Sequence, residues 1–132
     1  MSTSNWPYPI GTPGTPWGAQ EKARWRAAVR KRRDYAEEVV PLLHKLERSF
    51  ELTRYGSIDC GVDGEFPLFA LKSRAWNDTL PIVLVTGGVH GYETSGVHGA
   101  LLFAQRDAAA FEGRVNVLIA PCVSPWAYER IQ

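Results

Sequence analysis

Apolar and polar residues change rhythm several times along the chain, and each change predicts an element. Residues 1–18 show no period. Prolines and glycines punctuate MSTSNWPYPIGTPGTPWG, which predicts an extended arm pinned by Trp6 and Tyr8. Thr15-Pro16 then reads as a helix start, with Thr15 as N-cap and Pro16 at the first helical position. AQEKARWRAAVRKRR is predicted helical, with Glu21, Trp25, Ala28 and Val29 along one side. From Asp34 to Arg48 the residues Tyr35, Ala36, Val39, Val40, Leu43 and Leu46 recur at spacings of three and four, a second helical stretch. Pro41 inside it means a kink there, or a regular part that begins near it.

Between Phe50 and Arg74 the period falls to two. Two antiparallel strands are predicted, joined by CGVDGEF with Asp63-Gly64 as the turn signal. Ala75 to Leu80 is a polar loop. Ile82-Val83-Leu84-Val85 is a continuous apolar run, the mark of a strand covered on both faces. A helix is predicted over 94–110, with Val97, Leu101, Ala104 and Ala108 inward and Gly96, Gly99 and Ala100 small enough for close approach to a sheet. After the Glu112-Gly113 turn, Val115 to Ala120 reads as another buried strand. Strand, helix, strand in that order predicts a right-handed crossover with the two strands parallel. Pro121 to Gln132 is expected to be a loop carrying Ser124, Trp126, Tyr128, Glu129 and Arg130. The predicted class is α/β: N-terminal helices, an antiparallel hairpin, then a βαβ unit with parallel strands. Residues 1–18 form the arm and 19–132 the domain.

Composition narrows the function classes. The 132 residues suit one domain, and 45% hydrophobic with 22% charged residues is globular composition. A net charge of +1 gives no global reason to expect nucleic acid. No apolar run approaches the roughly 20 residues that span a bilayer. The N-terminus has neither a basic nor an apolar signal region. Two distant cysteines, Cys60 and Cys122, suit a reducing compartment, so the expectation is a cytoplasmic protein without a membrane partner. Arg30-Lys31-Arg32-Arg33 reads as a solvated face before an anion site, and His44 as a surface or packed residue before a ligand. Asp59 and Asp63 read as turn residues before cation ligands.

The chemistry concentrates in PIVLVTGGVHGYETS, residues 81–95. Open α/β sheets bind ligands at the carboxyl ends of their strands, and His90 falls just past such an end. If Gly91 to Glu93 form the first helical turn, His90 and Glu93 share a face and can converge on one ion, with zinc the expected metal. Gly87 and Gly88 let the backbone turn sharply before them. The plainer alternative is a packed histidine with Glu93 as a first-turn dipole partner. Phosphate at the Gly87–Gly91 turn is a weaker idea, since no Walker lysine is present and Glu93 would repel the anion.

TGGVHGYETSGVHGALL resembles the first metal motif of the zinc carboxypeptidase superfamily, where a strand ends in G-x-H-G-x-E and a helix follows. APCVSPWA, residues 120–127, resembles the family's strand-end P-x-x-N-P-x-G stretch, with Ser124 for the usual Asn and Ala127 for the usual Gly. The resemblance implies a partial carboxypeptidase-like α/β/α sheet with His90 and Glu93 as the first two zinc ligands. It places the third ligand, the general base and the substrate-carboxylate arginine beyond Gln132. His98 is no substitute for the third ligand, and Arg130, close in sequence to the expected arginine region, is not assigned to the family arginine. The chain therefore reads as the N-terminal part of a metallocarboxypeptidase-like hydrolase, inactive alone, whose substrate is a peptide. The alternatives are an N-acyl amino acid deacylase of the aspartoacylase or succinylglutamate desuccinylase type, acting on an acyl amino acid, and a non-catalytic interaction module.

Overall fold

The computed structural model describes residues 8–131. The expected anchoring by Trp6 and the first part of the arm lie outside the described residues, as does Gln132. The chain forms two compact units, residues 1–30 and 31–132.

In the first unit, residues 8–18 contain turns but no helix or strand, as the prolines and glycines predict. Helix α1 spans Ala19–Ala28, so the Thr15-Pro16 start is corrected. Gly18 is the N-cap instead, and its N–H donates to the Glu21 carboxylate at 2.9 Å, one half of a capping box. The helix ends at Ala28, before the basic run begins, because Val29 turns extended at ψ 133°. No residue of α1 is buried. Its charges are spread around the axis, which leaves no apolar stripe to dock. Tyr8, Pro9, Ile10, Trp17 and Trp25 surround a shallow aromatic hollow within this unit.

The second unit opens with two short helices, α2 (Tyr35–Glu38) and α3 (Val40–Leu46). Pro41 sits in the first turn of α3, so the regular helix begins at the proline instead of bending around it. Asp34 caps α2, its carboxylate accepting from the Glu37 N–H. The hairpin follows as β1 (Phe50–Asp59) and β2 (Glu65–Ser73), antiparallel, with a bulge between Arg54 and Gly56. Then come β3 (Ile82–Thr86), α4 (Thr94–Arg106), β4 (Asn116–Ala120) and α5 (Pro125–Arg130). The expected helix over 94–110 thus divides, its last residues forming a separate 3-10 turn, Ala108–Phe111. The last segment, expected to be a loop, contains α5.

The sheet order is β1-β2-β4-β3, with β3 and β4 parallel and β2 antiparallel to both of its neighbours. The fold class is the expected mixed α/β arrangement. Leu71, Val117 and Ile119 point to one face and meet Tyr35, Leu43, Val97, Leu101 and Tyr128 in a single core. The predicted inner residues Val97, Leu101 and Ala104 of α4 are buried, as is Ala108 in the 3-10 turn that follows it.

One strand departs from expectation. β3 was predicted to be covered on both faces, yet Ile82 is 60% exposed and Leu84 61%. It stands at the sheet edge, and the face opposite the helices is open around Tyr55, Ala70, Leu84, Leu118 and Val123. An apolar run fixes that a strand forms; which neighbours cover it is a matter of topology. β4, one place further in, is buried. Its polar first residue, Asn116, is fully buried because its amide ties down the 77–80 loop, donating to Asn77 O at 2.7 Å and Leu80 O at 3.3 Å and accepting from Asn77 N–H at 2.9 Å.

Candidate metal-binding turn

The stretch between β3 and α4 is built on glycine and on the segment that follows β4. The Gly87 N–H donates to Ala120 O at 3.0 Å and the Val123 N–H donates back to Gly87 O at 3.0 Å, clasping the two strand ends together. Gly88 has φ +67°, a left-handed conformation that favours glycine, and it lies over Val97 and Cys122. Gly91 is buried with its backbone flat against α5, and a Cβ there would overlap the Ala127 carbonyl. The turn is thus wedged between the start of α4 and the start of α5.

His90 and Glu93 project from this turn. α4 begins at Thr94, so the expectation that Gly91 to Glu93 form its first turn is corrected: Glu93 is the N-cap, at φ −86° and ψ 63°. A tight turn brings the pair together instead, closed by the Glu93 N–H donating to His90 O at 3.2 Å. His90 Nδ1 and Glu93 Oε2 lie 3.1 Å apart, with side chains 61% and 54% exposed. The Tyr92 ring stacks beside the imidazole at 6.1 Å. Two donors sharing a tetrahedral ion at about 2.0–2.2 Å would sit roughly 3.3 Å apart, so the separation suits a shared metal. An imidazole nitrogen and a carboxylate oxygen are donors zinc accepts. The residues fit half of such a site. Among the described residues no three His, Cys, Asp or Glu groups cluster as a metal site would need.

The remaining sequence candidates have other partners. His98, on α4, meets the Tyr128 ring edge-on at 6.3 Å. Asp59 accepts from the Gly61 N–H at 2.8 Å, a local turn bond. Asp63 does more than turn the hairpin. Its carboxylate accepts from Trp126 Nε1 at 2.9 Å and pairs with Arg130 Nη2 at 3.1 Å, tying the hairpin tip to α5. The basic run is part solvent-facing and part structural: Lys31 and Arg32 are exposed, whereas Arg33 is half-buried against α5.

Sequence reasoning overlooked a second pair with the same spacing. His44 and Glu47 close the end of α3, with Nδ1 and Oε1 2.5 Å apart and side chains 56% and 50% exposed. The signal was available, since His-Lys-Leu-Glu repeats the His-x-x-Glu spacing. Against Gly88 lies Cys122, whose thiol is buried and pushed up to about 12 by that burial, against a smaller opposing pull from the Ser124 N–H. It is a packed residue and no nucleophile.

No family model matches the chain, and no curated protein matches it in sequence. Solved structures do. A candidate metallopeptidase from Shewanella baltica aligns with TM-score 0.55 and 23% identity, covering 74% of this chain and 35% of its own. A candidate metallopeptidase from Shewanella denitrificans aligns at TM-score 0.54 and 26% identity, covering 74% and 36%. Bovine thrombin-activatable fibrinolysis inhibitor, solved with tick carboxypeptidase inhibitor, aligns at TM-score 0.52 and 18% identity, over 74% and 36%. The first and last of these likenesses are ones of fold alone. The chain spans about a third of the length of these structures. Its fold is a partial carboxypeptidase-like α/β fold. Among the described residues no helix is long and apolar enough to cross a membrane.

Proposed function

We propose that this chain supplies the metal-holding half of a zinc metallocarboxypeptidase-like hydrolase of peptide bonds, with His90 and Glu93 as two of the protein ligands. One observation carries the reading: an imidazole nitrogen and a carboxylate oxygen meet at 3.1 Å just past the carboxyl end of a parallel strand. The name of the Shewanella denitrificans neighbour supports a peptidase over the acyl amino acid deacylase. A bound zinc would polarise the scissile carbonyl and acidify a water. The chain's own contribution is geometric. The glycine turn holds His90 and Glu93 on a face open to solvent, and Glu93, as N-cap of α4, keeps its carboxylate at the positive end of that helix. The third ligand and the general base have no assigned residue in this chain, so it is expected to hold metal weakly and to turn over no peptide by itself. We place its work in the cytoplasm on the sparse cysteine usage.

The test is a cobalt(II) or zinc titration of the 132-residue chain. Binding should be lost in His90→Ala and in Glu93→Ala but kept in His44→Ala. Undiminished metal content in His90→Ala, by elemental analysis, would sink the assignment.

A further inference from the structure

Helix α5 is too short to persist alone, at six residues. It is nevertheless the wall behind the metal turn, because Gly91 lies against the Ala127 carbonyl with no room for a side chain. Whatever holds α5 therefore sets where the turn can be. Several contacts do so. Asp63 grips Trp126 and Arg130. The Tyr128 hydroxyl donates to Glu38 at 2.8 Å, and the buried Glu129 carboxylate accepts from the Tyr35 N–H at 3.0 Å with Lys31 at 3.5 Å.

The contacts at the C-terminal end of α5 are different in kind. The last carbonyls of a helix have no partner inside it. Here the backbone N–H groups of Arg32 and Arg33 donate to Glu129 O at 2.7 and 3.2 Å. Arg33 Nη1 donates to Tyr128 O at 2.8 Å and to Ile131 O at 3.4 Å. The same guanidinium stands 5.7 Å from the centre of the Tyr128 ring, within cation–π range. A cationic N–H donor at the negative end of a helix satisfies orphan carbonyls and complements the dipole at once, and Nη1 alone reaches both carbonyls here. A lysine carries the charge but lacks the planar guanidinium that donates to both carbonyls while lying against the Tyr128 ring.

We propose that Arg33 is a positioning residue for the His90–Glu93 pair, acting through α5. The inference rests on the metal-site reading given above, but its geometry can be examined separately. In the absence of the guanidinium the C-terminal turn of α5 frays, Ala127 loses its fixed place, and the turn around Gly91 gains room to open.

The experiment compares the 132-residue chain with Arg33→Lys and Arg33→Ala, at a temperature where all are folded. Amide exchange at Glu93 and Gly96, whose N–H groups close the turn onto His90 O and Glu93 O, is read together with cobalt(II) affinity. Arg33→Lys should speed exchange at these two amides about tenfold and weaken cobalt by about tenfold, the low end of what losing a direct partner of a metal ligand costs, since Arg33 acts at one remove through α5. Amides of the β1–β2 ladder should be unchanged. Arg54→Ala, which breaks the exposed Arg54–Glu65 pair, should alter neither readout. A lower melting temperature with wild-type exchange at Glu93 and wild-type cobalt affinity would make Arg33 merely structural and overturn the proposal. If the wild-type chain holds no cobalt, the metal reading fails, and exchange at Glu93 then decides the positioning role by itself. Should Arg33→Ala fail to fold, Arg33→Lys carries the test.

Discussion

The chain contains two His-x-x-Glu pairs, and locally they are nearly the same object. In each, the glutamate N–H donates to the histidine carbonyl at 3.2 Å, and an Nδ1 meets a carboxylate oxygen, at 2.5 Å in His44–Glu47 and 3.1 Å in His90–Glu93. In each, both side chains are at least half exposed. Spacing and exposure do not tell them apart. What differs is the ground they stand on. His44 and Glu47 end a seven-residue helix, where side chains three residues apart meet as ordinary local neighbours. His90 and Glu93 stand past the end of a parallel strand and before the N-terminus of α4, on a turn whose backbone is buried against α5. One pair is an ordinary helix end. The other is held rigidly at the place where α/β sheets bind ligands.

That contrast can be broken. The residue inside each pair is the sharpest probe. Gly91→Ala should cost about 1–3 kcal/mol or more, since the added methyl must displace the Ala127 backbone. Lys45→Ala, in the exposed helix, should stay within about 0.5 kcal/mol. Urea midpoints of the two variants measure both, and equal costs would erase the distinction between a wedged turn and a free one.

Alkaline pH probes the same wedge from below. The Cys122 thiol sits under Gly88 with its pKa pushed up to about 12, above the ordinary 9.0, because burial penalises the thiolate. The folded state therefore holds this proton more tightly than the unfolded chain. Its contribution to stability is whole below about pH 9 and is lost as pH rises toward 12. Burial raises Tyr35 and Tyr128 as well, which adds to the loss from about pH 10 upward. Thermal melts from pH 8 to 11 should show the decline, and Cys122→Ala should remove its first part while the tyrosine part remains. A decline of unchanged shape in Cys122→Ala would mean that the thiol is not the group involved.

The smallest effect belongs to the His44–Glu47 pair itself. A double-mutant cycle should return a coupling of about 0.2–0.5 kcal/mol, weakened by salt, as for other exposed pairs on helices. A coupling well above that range would show that this helix end is more rigidly built than the comparison allows.

Much of the fold was legible because it is written locally. The period-two hairpin, the buried face of α4 and the parallel pairing of β3 with β4 follow from residues close together in sequence. The errors have two causes, one local and one long-range. Thr15-Pro16 has the composition of a helix start, but helix formation waits for Ala19, where Gly18 and Glu21 can cap each other. Residues 121–132 carry a serine and a proline that open α5, yet six residues cannot declare a helix without the partners that hold it, and those partners are Arg33, Glu38 and Asp63, far away in the chain. For the candidate site, the two donors and the glycines were legible. The wall behind them was not.

By itself the sequence determined that a strand, a glycine turn and a helix would present His90 and Glu93 together, because side-chain spacing and turn chemistry act over a few residues. Tertiary structure alone decided the rest. It placed apolar β3 at an exposed edge and similar β4 in the core, since coverage depends on which strands pair. It also separated two identical spacings, leaving one pair on a helix end and setting the other on a turn fixed by α5, because rigidity comes from packing between segments that the chain order keeps far apart.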